Sequence, residues 1–250
     1  MQIEHLYRYP VKGLTAEALE EVMVEPGEGL PWDRAFALAQ GDAPFDPAEP
    51  IWLKKTHFMC LMANARIAAF RSAYDPATGL LSVRGPDGRL ANEDVRTADG
   101  RARMGAFLAA LLGEEARGTP RFHHVPGHSF QDGRIKAVSL INLGSLAAYE
   151  RDVGGKRDLM RFRANIYFTG PAWVEFDWIG QHVTIGGAVL RVVKRTVRCP
   201  ATEVNPATAE RDADPVKELF ALYGHRDLGV HAEVVDGGRI AVGDAILPGF

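Results

Sequence analysis

Over residues 1–96 the apolar positions fall in short runs broken by Gly and Pro, as in EALEEVMVEPGEG, FALAQGDAPFDP and ARIAAFRSAYDPATGLLSVRGPDGRL. Such runs read as strands. Around YDPATG they predict two strands joined by a turn, with Leu80, Leu81 and Val83 returning, and LMANARIAAF reads as a strand after Cys60. The period then changes. Met104, Phe107, Leu108, Leu111 and Leu112 recur at helical spacing, giving one apolar face that ends at Gly113. This helix is expected to separate two halves, residues 1–115 and 116–250. In the second half, INLGSLAAYERDVGG predicts a helix entered through Asn142 or Ser145 and stopped by Gly154-Gly155. DPVKELFALYG predicts another, with Asp214 as N-cap, Pro215 in the first turn, Val216, Leu219 and Leu222 along one side, and Gly224 as terminator. Two hairpins are expected to turn on Gly-Gly, in HVTIGGAVLRVV and HAEVVDGGRIAVGDAI. The sum is a β-rich α+β fold.

Composition adds little to that outline but narrows the function. With 250 residues and 46% hydrophobic content the chain can fill a sizeable core. Its 29 Lys+Arg against 32 Asp+Glu give a formal charge of −3, so no global basic field points to nucleic acid or anionic lipid. Any anion site has to be local. The opening MQIEHLYRYPVKG lacks an apolar leader core and no apolar run reaches a membrane span, so the expectation is a cytoplasmic protein. The two cysteines, Cys60 and Cys199, make a poor disulfide framework and fall short of the thiolates a ferredoxin-type cluster needs. A redox reaction here draws its electrons from elsewhere.

Candidate chemistry is sparse. His123, His124 and His128 cluster in RFHHVPGHSF without zinc-type spacing and read as a solvated loop. GGAVLR and GEGLPWDR lack phosphate-loop spacing. Cys199 stands out because KRTVRCPAT places it at a strand end before Pro200, with Lys194, Arg195 and Arg198 close in sequence, a setting that stabilises a thiolate. A packed small core residue is the competing reading. Lys12, Arg34, Arg161, Arg163 and Asn165 each lie near a turn or strand start and together suit a dianion. Spacing does not show whether they converge. Glu175 and Asp177 stand between Trp173 and Trp178, tryptophans that read as core, and are expected to orient nearby arginines.

With these stretches in order, the chain resembles the molybdenum cofactor sulfurase C-terminal (MOSC) domain proteins that carry an N-terminal β-barrel domain. YPVKGL, GLPWDRAFAL, RFRANI, WVEFDWIG, RCPATEVNPATAERD and LGVHAEVVDGGRIAVGDAI carry the resemblance over nearly the whole chain. The motifs look most like those of the amidoxime-reducing branch. The resemblance implies an N-terminal β-barrel-like domain, a MOSC β-barrel domain with peripheral helices, and a molybdenum cofactor (Mo-molybdopterin) between them. It implies Cys199 as the metal ligand and catalytic residue, with Lys12, Arg34, Arg163, Asn165 and Arg198 binding the cofactor. It further implies reduction of a small N-hydroxylated or related N–O or S–O substrate, with electrons from a separate ferredoxin- or cytochrome b5-like protein, since no ferredoxin domain follows Phe250. A sulfur carrier using a Cys199 persulfide, or a cofactor carrier, are the alternatives. Gly13 stands where the amidoxime-reducing branch has Ser, and Ala164 where it has Pro.

Overall fold

A computed structural model describes residues 1–249. The first half contains β1 (Gln2–Arg8), β2 (Glu17–Leu19), β3 (Glu21–Val24), β4 (Phe36–Ala39), β5 (Arg71–Asp75), β6 (Leu80–Arg84), β7 (Leu90–Asp94) and helix α1 (Ala98–Leu112). There follow β8 (Arg121–His124), β9 (Val138–Asn142), α2 (Leu143–Val153), β10 (Ile166–Thr169), β11 (His182–Ile185), β12 (Ala188–Val197), α3 (Pro215–Tyr223), β13 (Asp227–Asp236), β14 (Gly238–Ala241) and β15 (Ile246–Pro248). The fold is β-rich, as the pattern indicated.

One eight-stranded sheet, ordered β15-β11-β12-β13-β9-β10-β1-β2, organises the molecule. Only β9 and β10 pair in parallel, and α2 makes the crossover between them that parallel pairing requires. Val138, Leu140, Ile166, Phe168, Val183, Leu190 and Val230 fill one core against this sheet. Ile141, Leu146, Tyr149, Tyr167, Leu219 and Leu228 form a second core with α2 and α3. Strands pass between the halves: β1 and β2 pair at the sheet's end beside β10, β3 pairs with β14, and β8 returns after α1 to pair with β4. The α1 face expected from its spacing is buried at Met104, Leu108, Leu111 and Leu112, against Leu81, Val83 and Phe122.

The helix ends follow local chemistry. Thr97, Asn142 and Asp214 each accept a backbone N–H from the first turn of their helix, and Gly154 and Gly224 close α2 and α3 in the left-handed conformation. Three expectations need correction. The HAEVVDGGRIAVGDAI hairpin does not form: both edges of β13 are taken, by β12 and β9, so after Gly237 the chain leaves the sheet and β14 pairs with β3. LMANARIAAF is not a strand; Ala65–Ala69 is a 3-10 turn held by Asn64 and Ile67 carbonyls, and the strand starts at Arg71. On α3 the buried face runs through Pro215 and Leu219, while Leu222 is exposed, because i to i+4 places Pro215, Leu219 and Tyr223 on one side.

Gly229 is a point where backbone demands glycine. Its φ is 78°, and a Cβ there would lie 2.3 Å from the Leu140 carbonyl oxygen on β9. Gly229→Ala is therefore expected to destabilise by at least about 2 kcal/mol. Chemical denaturation measures it, and a midpoint equal to wild type would contradict this account of β13.

Candidate functional site

A cleft of about 320 Å³ opens where strands of the two halves meet, and Lys12, Arg34, Lys55, Arg163 and Cys199 all line it. Lys12 is set by its own backbone: its N–H donates to the Phe36 carbonyl at 2.8 Å, just beyond β1. Gly13 follows with φ of 87°, and a Cβ there would come within 2.7 Å of Ile67, so a serine at this position would be strained. The Lys12 ammonium is buried and donates to the Phe130 carbonyl at 2.8 Å and to Asp132. Burial lowers its pKa, and Asp132 opposes that fall.

Arg34 and Arg163 share an unusual backbone. Their φ values are 52° and 51°, in the left-handed region that costs a non-glycine residue about 1 kcal/mol or more. The Arg34 guanidinium donates to both carboxylate oxygens of Asp33 at 2.6 Å and to the Arg163 carbonyl at 2.9 Å. Arg163 donates from Nη1 to the Leu14 carbonyl at 2.6 Å, while its buried Nη2 has no partner. Both guanidinium carbons lie near the Tyr9 ring, 4.2 and 4.3 Å from its centroid. Burial pushes the Arg163 pKa down to about 10, which still leaves it charged at neutral pH.

Asp132 ties the lysines together. Its second oxygen accepts from Lys55 Nζ at 2.9 Å, and Lys55 Nζ stands 3.1 Å from Cys199 Sγ. Asp132 is more than half exposed, and the charges of Lys12 and Lys55 outweigh its partial desolvation and hold its carboxyl below the usual carboxylate range. Burial likewise acts to lower Lys55, and the charges of Asp132 and Cys199 overcome it, so its pKa is raised. Cys199 is half-buried and free, and Cys60 lines the same cleft, buried, with its thiol pKa pushed up by burial.

Arg161, Asn165 and Arg198 line the same cleft, and each also makes hydrogen bonds within the protein. Arg198 is buried and donates to the Leu228 and Phe162 carbonyls, so the cation beside the thiol is Lys55 instead. Asn165 accepts from Ser139 N and Oγ at 3.1 and 2.8 Å and donates to the Tyr7 carbonyl at 3.1 Å, which pins β10 to its neighbours. Arg161 braces the 202–212 segment through the Glu203 carbonyl and Asp212. Glu175 does not hydrogen-bond an arginine; it accepts from Asn142 and Ser145 at 3.1 and 2.9 Å, and burial raises its pKa. Trp178 is core, while Trp173 is half-buried. Sequence reasoning missed Lys55 and Asp132, which line the cleft from stretches without a motif, and Thr196 and His231, which lie within the stretches KRTVRCPAT and LGVHAEVVDGGRIAVGDAI but were not singled out there.

Comparison with known proteins places this geometry. The MOSC domain matches residues 127–247 and the MOSC N-terminal beta barrel domain matches residues 1–115. The chain is a MOSC domain protein. It is 24% identical over 250 aligned positions to the molybdenum cofactor sulfurase of Danio rerio, an alignment covering 87% of this MOSC protein and 30% of that relative's length. Among solved structures it is similar to YiiM of Geobacillus stearothermophilus, at 16% identity and TM-score 0.36, covering 45% of this chain and 54% of that one. The YuaD protein of Bacillus subtilis is similar at 14% identity and TM-score 0.45, covering 98% and 93%. No helix among the described residues is long and apolar enough to cross a membrane.

The histidine cluster is not a solvated loop. His123 and His124 lie on β8, and His123 packs 5.0 Å from the Phe45 ring with Nε2 buried and unpartnered. Among the described residues no three His, Cys, Asp or Glu side chains gather into a metal-binding group. Burial, with the Arg121 and Arg101 charges, pushes the His123 pKa down to about 4. The folded state then favours the neutral ring. Its contribution is complete above the unfolded value near 6.5 and is lost as pH falls towards 4. Wild type is expected to lose on the order of 2 kcal/mol across that window from His123. His123→Phe should flatten the fall in melting temperature with pH, and an unchanged slope would refute the assignment.

Proposed function

We propose that this cleft binds the molybdenum cofactor and that the protein is a cytoplasmic reductase of small N-hydroxylated or related N–O or S–O compounds. One observation carries the reading: a half-buried cysteine thiol, three lysines and five arginines line one cleft in a chain of net negative charge. The donor set fits the group. Arg163 Nη2 is buried without a partner, a donor waiting for an acceptor, and the cationic wall suits a phosphate. A thiolate is a soft ligand suited to such a metal. When bound, the cofactor would supply two-electron redox chemistry, by which N–OH, two electrons and two protons give N–H and water.

The protein's own residues then bind and position. Lys12, Arg34 and Arg163 grip the phosphate end, and Asp33 and Tyr9 fix the arginines in place. Lys55 holds the Cys199 thiolate by a charge-assisted hydrogen bond. Asn165 and Arg198 hold the strand ends that carry Arg163 and Cys199. The electrons come from a separate ferredoxin- or cytochrome b5-like protein, which the two cysteines of this chain cannot replace. Similarity to the molybdenum cofactor sulfurase of Danio rerio favours a second reading, in which Cys199 carries sulfur as a persulfide. Intact-mass analysis after incubation with a low-molecular-weight persulfide, which passes its sulfane sulfur to Cys199 and leaves as the thiol, distinguishes it by one added sulfur.

Cys199→Ser is expected to keep the fold and most of the pterin, held by the cationic clamp, yet to lose reductase activity by about 100-fold or more. X-ray absorption should show one fewer sulfur at the metal. Full activity with an unchanged sulfur count would return Cys199 to packing. Arg163→Ala should cut pterin content about tenfold and lower unfolding stability by only about 1–2 kcal/mol, because it removes the unpaired Nη2 together with one bond to the Leu14 carbonyl and the contact with Tyr9. Fluorescence of the released, oxidised pterin reads the first effect and denaturation the second; equal pterin in the two proteins would remove Arg163 from the clamp.

A further inference from the structure

Ten buried side-chain nitrogen or oxygen atoms among the described residues lack a hydrogen-bond partner, and four belong to residues lining the cleft: Arg161 Nε, Arg163 Nη2, Thr196 Oγ1 and His231 Nδ1. Buried polar atoms are nearly always paired in native proteins, so a concentration of orphans along one cavity marks where a ligand completes the bonding. Arg161 is already committed elsewhere and Arg163 belongs to the anion clamp. Thr196 and His231 are of another kind. They lie on the paired strands β12 and β13, where Lys194 is opposite His231 and Arg195 opposite Val230. Both are uncharged at neutral pH: burial, with Arg198, Lys194 and Arg34 around it, pushes the His231 pKa down to about 4.

A clamp of lysines and arginines offers only donors. A phosphate accepts them, but a heterocycle with ring N–H or amino groups needs acceptors too. The threonine hydroxyl accepts, and a neutral imidazole accepts at Nδ1 when Nε2 carries the proton. We propose that Thr196 and His231 form an acceptor pair that binds the N–H edge of a pterin-type heterocycle whose phosphate lies on the Lys12, Arg34 and Arg163 clamp. This assignment rests on the reading of the cleft as a cofactor site. It divides the cleft by chemistry: cations for the anionic end, neutral acceptors for the ring edge.

The pair has a consequence that a packing role does not share. Without ligand the two atoms are desolvated and unbonded, so their removal should leave the apoprotein at least as stable while loosening the ligand. Thr196→Val and His231→Leu are made in a host that supplies the cofactor and in one that does not. The expected result is that apoprotein melting temperatures equal or exceed wild type, and that bound pterin leaves about five-fold faster or more on dialysis, followed by pterin fluorescence. Pterin release from both variants at the wild-type rate would overturn the pair. So would apoproteins that melt well below wild type, since the side chains would then be holding the fold. Wild type that carries no pterin from the competent host would instead sink the cofactor reading itself, a result separate from variants that match a loaded wild type.

Discussion

Eight cationic side chains line one cleft in a chain of formal charge −3, and the mutual repulsion of Lys12, Arg34, Lys55 and Arg163 among them is the constraint the surrounding structure answers. Two like charges about 4 Å apart near a protein surface repel by about 4 kcal/mol. Neither dilution into solvent nor a lower charge count relieves that here. Asp33, buried, takes Arg34 in a two-oxygen grip, and Asp132, more than half exposed, bridges Lys12 and Lys55. Backbone carbonyls of Phe130, Leu14 and Arg163 absorb further donors. The Tyr9 ring faces both guanidinium groups with its electron-rich surface. The buried carboxylate holds strongly because solvent does not weaken it, whereas the exposed one works in a more screened setting.

The same constraint explains the strained backbone. Arg34 and Arg163 occupy left-handed conformations that only a well-packed surround sustains. Arg34 N–H donates to the Tyr9 carbonyl at 2.7 Å, and the Tyr9 hydroxyl donates to the Ala164 carbonyl at 3.1 Å, beside Arg163. One tyrosine thereby ties both turns and faces both charges. Tyr9 is fully buried, so the tie is rigid. Strain in the backbone and charge in the side chains are located together, at the place where an anion would relieve the second.

What could be read from the sequence divides along the range of the interactions. Helices α1, α2 and α3 were legible, and for α2 and α3 the caps too, because Asn142 and Asp214 act within three residues; the α1 cap, Thr97, was not read. The β11–β12 hairpin was legible for the same reason, and pairs as HVTIGGAVLRVV suggested. The second Gly-Gly hairpin was not, since its failure depends on β9 already occupying the other edge of β13, a fact about residues some ninety positions away. The site follows this rule. Lys12, Arg34, Arg163 and Cys199 could be named from motif order and do share one cleft. Lys55 and Asp132 could not, because their contacts with Cys199 and Lys12 span 144 and 120 residues and leave no spacing to read. Asn165, named from the family resemblance, and Arg198, named for flanking Cys199, line the cleft too, and their side chains also bond to Ser139 and to backbone carbonyls.

Those long separations bear on how the site exists at all. Lys12 follows β1, a strand of the first half that is paired into the large sheet beside β10, and its ammonium is held by Phe130 and Asp132 from beyond α1. Lys55 comes from the first half and Cys199 from the end of β12, and Arg34 of the first half donates to the Arg163 carbonyl of the second. No continuous part of the chain contains the clamp. The cleft exists only when β1 has entered the sheet and β8 has returned to β4, so it is the hydrophobic cores of both halves that hold the repelling cations together. A site assembled across the strand exchange is coupled to the whole fold, and a ligand that neutralises its charges stabilises both halves at once by binding the folded state alone.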